Sequence, residues 1–224
     1  MLKRWYHRVR TRLLPEVLSR TLTIRRRDDM EVLGSVYGGW SVPIGLLDAG
    51  SVVYCVGCGE DITFDLALIE RLGCEVWAFD PTPRAIAHVE RHGGDQRYHF
   101  TPVGIWSEDT RVTFYLPDNE EHVSGSIVGL NGRGRSIEVE VRRLETVMRE
   151  HGHDRIDLLK IDVEGAEYDV LHGMLDSPVR PRVLAVEFDQ PTPWRRTSQL
   201  IRRLRGEGYE LVEVRGWNYV FVRS

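Results

Sequence analysis

Two glycines and one acid carry the first chemical signal in this sequence. Gly57 and Gly59 close the apolar run Val52-Val53-Tyr54-Cys55-Val56, and a helix-like stretch, Ile62 to Leu72, follows at once. Glycine lacks Cβ, so the chain can turn sharply there and a ligand can approach the backbone. The helix start adds unpaired N–H donors beside that turn. Asp80 ends the next apolar run, 21 residues after Gly59. An acid at that distance, at the tip of a second strand, is placed to accept hydrogen bonds from ribose hydroxyls. A structural corner with an exposed acid is the plainer alternative. Counted from Gly57, the third glycine of a dinucleotide fingerprint would fall on Ile62. Its absence argues against a pyrophosphate, and so against NAD or FAD. S-adenosylmethionine has a ribose and no phosphate, and fits the corner better.

A second set of reactive side chains lies further along. Ile156 to Asp162 reads as a strand, in which Leu158, Lys160 and Asp162 share one face. A lysine on a central strand is costly unless a carboxylate pairs with it. Asp162 and an acid on the next strand are the expected partners. Glu164 and Glu167 follow at the start of a helix running to about Leu171, where they either cap the helix or do chemistry. Glu187 and Asp189 end the strand that begins at Val183.

The elements that must position these groups alternate. Strands are expected at 52–56, 74–79, 98–103, 156–162 and 183–189, with helices at 62–72, 83–91, 144–150, 163–171 and 200–207. That alternation implies a doubly wound, mostly parallel α/β sheet. Tyr209–Val214 and Tyr219–Val222 form a closing hairpin that adds an antiparallel edge. Val112–Tyr115 and Ile137–Val141 also have strand character. Between them lies a polar stretch from Pro117 to Ser136. It contains His122, Ser124, Ser126 and Asn131, the material of a substrate lid. Tyr37-Gly38-Gly39-Trp40 reads as a loop whose aromatics either cover a cofactor or cap the core. Gly104 and Trp106 follow the third strand, where Trp106 could stack on an adenine or pack in the core.

Composition narrows the partners. The chain has 224 residues, 42% hydrophobic and 29% charged, with a net charge of −4. These are values of a globular protein, and they give no global case for nucleic acid. Residues 1–30 carry nine Lys or Arg against three Asp or Glu. This basic segment, with Trp5, Val9, Leu13 and Val17 at near-helical spacing, could touch an anionic membrane surface or dock on the domain. We set it apart as residues 1–33, with the domain proper at 34–224. Three cysteines, of which Cys55 and Cys58 form C-x-x-C, lack a second ligand pair for zinc and read as buried thiols. No apolar run is long enough for a membrane span, and no secretory signal core is present, so the expected setting is cytoplasmic.

The run Leu159-Lys160-Ile161-Asp162-Val163-Glu164-Gly165-Ala166-Glu167 resembles the FkbM-type family of S-adenosylmethionine-dependent methyltransferases. Tyr37 to Trp40, Val53 to Asp61 with Ile62-Thr63-Phe64-Asp65, and Ala78 to Pro83 resemble the cofactor half of that family. The resemblance covers roughly residues 34–190. It implies a class I methyltransferase fold, Rossmann-like, with a seven-stranded sheet. It also implies methyl transfer to a hydroxyl of a sugar, glycan or secondary metabolite. Gly57, Gly59 and Asp80 carry over as cofactor residues, and Asp162 matches the acid at the tip of the fourth strand. Such enzymes usually have an acid where Cys55 stands and often a third glycine where Asp61 stands. The methionine end of the cofactor is therefore expected to be held differently, with Asp61 the candidate for its amino group.

For such a transfer the acceptor hydroxyl must be aligned and lose its proton. The candidate bases are Asp162, Glu164 and Glu187, with Lys160 fixing their geometry and His122 in reserve. Clustered acids could instead hold a divalent cation, although no diagnostic ligand spacing indicates one. The alternatives from other classes are a non-catalytic cofactor-binding scaffold and an NAD-dependent oxidoreductase.

Overall fold

The computed structural model describes residues 22–115, 136–163, 165–188 and 194–224. A fully apolar strand can only be a central one, covered on both faces. That holds for β3 (Val52–Val56), in which Tyr54 and Val56 enter one apolar layer and Val53 and Cys55 the other. The sheet around it contains β4 (Glu75–Phe79), β5 (Tyr98–Thr101), β9 (Leu158–Ile161), β10 (Val183–Glu187), β11 (Tyr209–Arg215) and β12 (Asn218–Arg223). Their order is β11-β12-β10-β9-β3-β4-β5. From β5 to β10 every pairing is parallel, whereas β12 runs antiparallel to β10 and to β11. This is the doubly wound sheet with an antiparallel edge hairpin that the alternation of elements predicts. The strand order reverses between β3 and β9, and ligands bind beyond the carboxyl ends of strands at such a point.

The helices are α1 (Thr63–Leu72), α2 (Pro83–His92), α3 (Leu144–His151), α4 (Glu167–Asp176) and α5 (Trp194–Gly206). Pro83 opens α2, and the Thr82 side chain accepts from Ala85 N–H to cap it. Two departures from the expected elements matter. A hairpin, β1 (Met30–Leu33) with β2 (Trp40–Pro43), precedes the glycine corner, so a strand pair straddles residue 34 and Trp40 is in a strand. Four-residue strands are too short to show periodicity. The last helix also begins earlier than expected, at Trp194 and not Leu200.

The third strand ends at Thr101. The chain then enters a second sheet, in which β8 (Ser136–Arg142) lies between β6 (Gly104–Ile105) and β7 (Thr110–Tyr115). The polar segment 117–135, with His122, lies outside the described residues, as do Glu164 and Asp189. No helix among the described residues is long and apolar enough to cross a membrane.

Candidate active site

A cleft of about 450 Å³ opens over the ends of β3, β4, β9 and β10. Its near wall is the glycine corner. Gly57 has φ of 79° and donates its N–H to Phe79 O at 2.9 Å, which ties the turn to β4. Gly59 has φ of 54°, and a Cβ there would meet nothing within 4 Å, so this backbone lies open to a ligand. Its N–H donates to Asp80 Oδ2 at 3.0 Å. The other Asp80 oxygen accepts from Thr82 N–H at 2.9 Å and Thr82 Oγ1 at 2.6 Å. Asp80 is thus buried and aimed, and it lines the cleft. A carboxylate has about four acceptor sites, so the three protein donors leave capacity for a ligand hydroxyl.

Beyond Asp80 the wall is apolar, formed by Pro81, Ile105, Phe114 and Val141, with Gly104 beside them. A Cβ on Gly104 would come within 3.0 Å of Val141 Cγ1. Trp106, read as stacking on an adenine or packing in the core, is not among the residues lining the cleft. Its N–H is bonded to Arg142 O, and its side chain packs against the small cluster of Phe114, Val139 and Val141. Ile105, the last residue of β6, lines the cleft, whereas Trp106 just past it does not. Spacing along the chain located this loop but not which of its residues faces inward. Phe114 gave no local sign of its place in the wall.

The hairpin loop between β1 and β2 forms the rim. Tyr37 is 89% exposed and borders the cleft opening. Ser35 Oγ donates to Asp61 Oδ2 at 2.6 Å and accepts from the N–H groups of Tyr37 and Gly38. Thr63 donates to Asp61 Oδ1 through its N–H at 2.9 Å and its hydroxyl at 2.5 Å. Burial works against the Asp61 charge, but these donors outweigh it and hold the carboxyl below the usual carboxylate range. Asp61 lines the cleft as expected, yet it works as the clamp that pins the rim loop. Ser35, its partner, carried no recognisable motif.

The floor is charged. The buried Lys160 donates to Gly57 O at 2.5 Å and pairs with Asp162 Oδ2 at 3.2 Å. The face of the Trp40 ring lies 5.4 Å from Nζ. Burial opposes the Lys160 charge, but the Asp162 carboxylate and the buried Asp65 of α1 overcome it, so its pKa is raised. Burial in turn pushes the Asp65 carboxyl up, against the pull of Lys160. Glu187 reaches the cleft from the tip of β10. Glu167 accepts from Gly165 N–H at 2.8 Å, so this acid of the K-I-D-V-E-G-A-E run serves the entry to α4.

Cys55, Cys58 and Cys74 are free and buried, and burial pushes all three thiols up, which keeps them uncharged. Among the described residues no group of three or more His, Cys, Asp or Glu could hold a metal ion. The cleft therefore offers a buried acid beside a glycine turn, an apolar slot and a charged floor.

Residues 52–211 match the family described as the Methyltransferase FkbM domain. The 2-O-methyltransferase NoeI of Sinorhizobium fredii is 30% identical over 156 residues, covering 61% of this chain and 63% of that protein. The 31-O-demethyl-FK506 methyltransferase FkbM of Streptomyces tacrolimicus is 30% identical over 196 residues, covering 74% and 75%. The chain thus spans less than two thirds of the first relative and three quarters of the second. Among solved structures, the METTL16 MTase domain is 14% identical, with a TM-score of 0.47 over 94% of this chain and 78% of that one.

Proposed function

The chain belongs to the Methyltransferase FkbM domain family, and on that premise we propose that it is an S-adenosylmethionine-dependent O-methyltransferase acting on a hydroxyl of a sugar, glycan or secondary metabolite. The observation that carries this reading is Asp80, buried in the cleft wall and bonded to the Gly59 amide at 3.0 Å. Its remaining acceptor site takes a ribose hydroxyl. Pro81, Ile105 and Phe114 form the slot for the adenine. S-adenosylmethionine, when bound, supplies a methyl group on a sulfonium, a strong electrophile. The printed names of the two relatives, both O-methyltransferases, support oxygen as the acceptor atom.

What remains for the protein is to hold the acceptor oxygen and take its proton. Asp162, just past β9, pairs with the Lys160 ammonium. Glu187, at the tip of the neighbouring strand β10, is the base we assign on its position in the cleft. It lines the same cleft beside Asn218, its partner across β12. Glu164, in the turn after β9 by sequence, stays a candidate on its position alone.

Calorimetry of S-adenosylmethionine binding tests the reading. A charged hydrogen bond contributes about 1.5–3 kcal/mol, so Asp80→Ala should weaken binding at least about tenfold. Asp80→Asn keeps an oxygen for Thr82, preserves the α2 cap and should weaken binding less. Unchanged affinity in both folded variants would remove Asp80 from the cofactor site. Glu187→Gln should leave affinity within a few-fold and slow transfer to an acceptor, found with labelled cofactor, by about 10²–10⁴. A folded protein that binds the cofactor but transfers to no acceptor would favour a binding scaffold.

A further inference from the structure

The glycine corner and Asp80 leave one feature of the cleft without a task, the ion pair on its floor. Lys160 and Asp162 both line the cleft, 3.2 Å apart. A buried pair adds little net stability, because desolvation offsets its attraction. Opposite charges side by side in a cleft instead complement a ligand that carries both signs.

We propose that Lys160 and Asp162 together recognise the α-amino-acid zwitterion at the methionyl end of the cofactor, Lys160 taking the carboxylate and Asp162 the ammonium. This rests on the cofactor reading above and assigns the end of the ligand that Asp80 does not reach.

The other acids of the cleft are engaged elsewhere, Glu187 as the base assigned above. Asp61 takes one donor more than Asp80: Ser35 Oγ, the Thr63 amide and hydroxyl, and the Gly38 amide fill its acceptor sites. Glu60 faces Arg84 at 3.5 Å, and Asp80 stands at the ribose end. Position 55 is a buried neutral thiol and cannot hold an ammonium. Asp162 keeps 29% of its side chain exposed.

The sheet also makes room for the lysine. Lys160 lies in register with Ala185 on one side and Cys55 on the other, and Cys55 with Ala78. In this row of small side chains only Lys160 is long, and its Nζ lies over the Trp40 ring, 5.4 Å from the ring centre. An ammonium has three donors. Gly57 O and Asp162 take two, which leaves the third for a ligand carboxylate. Burial opposes the ammonium charge, and Asp162, with Asp65 behind it, outweighs that and raises the Lys160 pKa.

The test is a ligand-truncation comparison by calorimetry on the full chain. S-adenosylhomocysteine carries the zwitterion. 5′-Methylthioadenosine keeps the adenine, ribose and thioether but lacks it. The wild type should bind the first at least about tenfold tighter, the size of one charge-assisted bond. Lys160→Met and Asp162→Asn should each weaken S-adenosylhomocysteine about tenfold and leave 5′-methylthioadenosine within about twofold, the bond being absent from that ligand. Equal losses for both ligands would mean that the pair only shapes the Gly57 turn, and would overturn the assignment. So would equal wild-type affinities, which leave the cofactor reading intact. A wild type that binds neither ligand would remove that reading and this assignment with it. Asp162 is the more exposed partner, so Asp162→Asn decides the matter if Lys160→Met does not fold.

Discussion

The carbonyl oxygen of Asp162 lies 1.7 Å from the point a Cβ on Gly57 would occupy. The turn after β3 and the tip of β9 therefore touch backbone to backbone. Asp162 N–H donates to Val56 O at 3.0 Å, and Lys160 closes the junction through Gly57 O. Two adjoining strands are locked together at the point where the sheet order reverses. The glycine corner is thus part of the charged floor.

Gly57→Ala should be costly on two counts. Its φ of 79° disfavours any Cβ, and backbone is the obstacle, so no side chain can move aside. Backbone strain and overpacking of this kind each cost about 1–3 kcal/mol. Gly59→Ala has the same sign of φ but open space, so only the first cost applies. In urea titrations the Gly57 variant should lose clearly more stability than the Gly59 variant. Equal losses would refute the close approach.

Acid should weaken the fold through a histidine cluster away from the cleft. Trp77 stacks on His99 at 5.0 Å and meets His153 edge-on at 4.2 Å, while Tyr54 Oη lies 2.8 Å from His153 Nδ1. Burial lowers the pKa of His151 and His153 below 6.5, and neighbouring imidazoles push the same way. The folded state therefore binds fewer protons than the unfolded one near that pH. Its stability is whole above about pH 6.5 and declines as the pH falls through the folded values. The melting temperature should drop between pH 7.5 and 5.5. A His151→Gln, His153→Gln double variant should drop less over that interval, and an equal drop would place the effect elsewhere.

Truncation should separate the basic segment from the domain. Leu22 and Ile24 pack against the core, Arg25 N–H donates to Leu211 O at 2.8 Å, and Arg205 holds Thr23 O. Deleting residues 1–21 should leave cofactor affinity within about twofold, because every cleft residue described lies beyond them. Deleting 1–30 removes those contacts and one residue of β1, and should lower the melting temperature. Loss of binding in a folded 1–21 deletion would bring the segment into the site.

The sequence alone determined the features that depend on short-range order. The β3 run, its glycines and Asp80 are legible because strand length, turn chemistry and the span of one helix set their spacing. The alternation of elements likewise announces a parallel sheet with a hairpin edge. The tertiary structure decided everything that depends on which side chains meet across elements. Asp61 was legible as a cleft acid, but its partner Ser35, 26 residues away, was not. Trp106 was in the expected loop, but it packs on Phe114, Val139 and Val141 of the second sheet, strands that lie apart from it in the chain. Lys160 found its setting beside Cys55, 105 positions earlier, through strand register. Register and facing follow from pairing between strands far apart in the chain, and no local pattern of residues encodes that pairing.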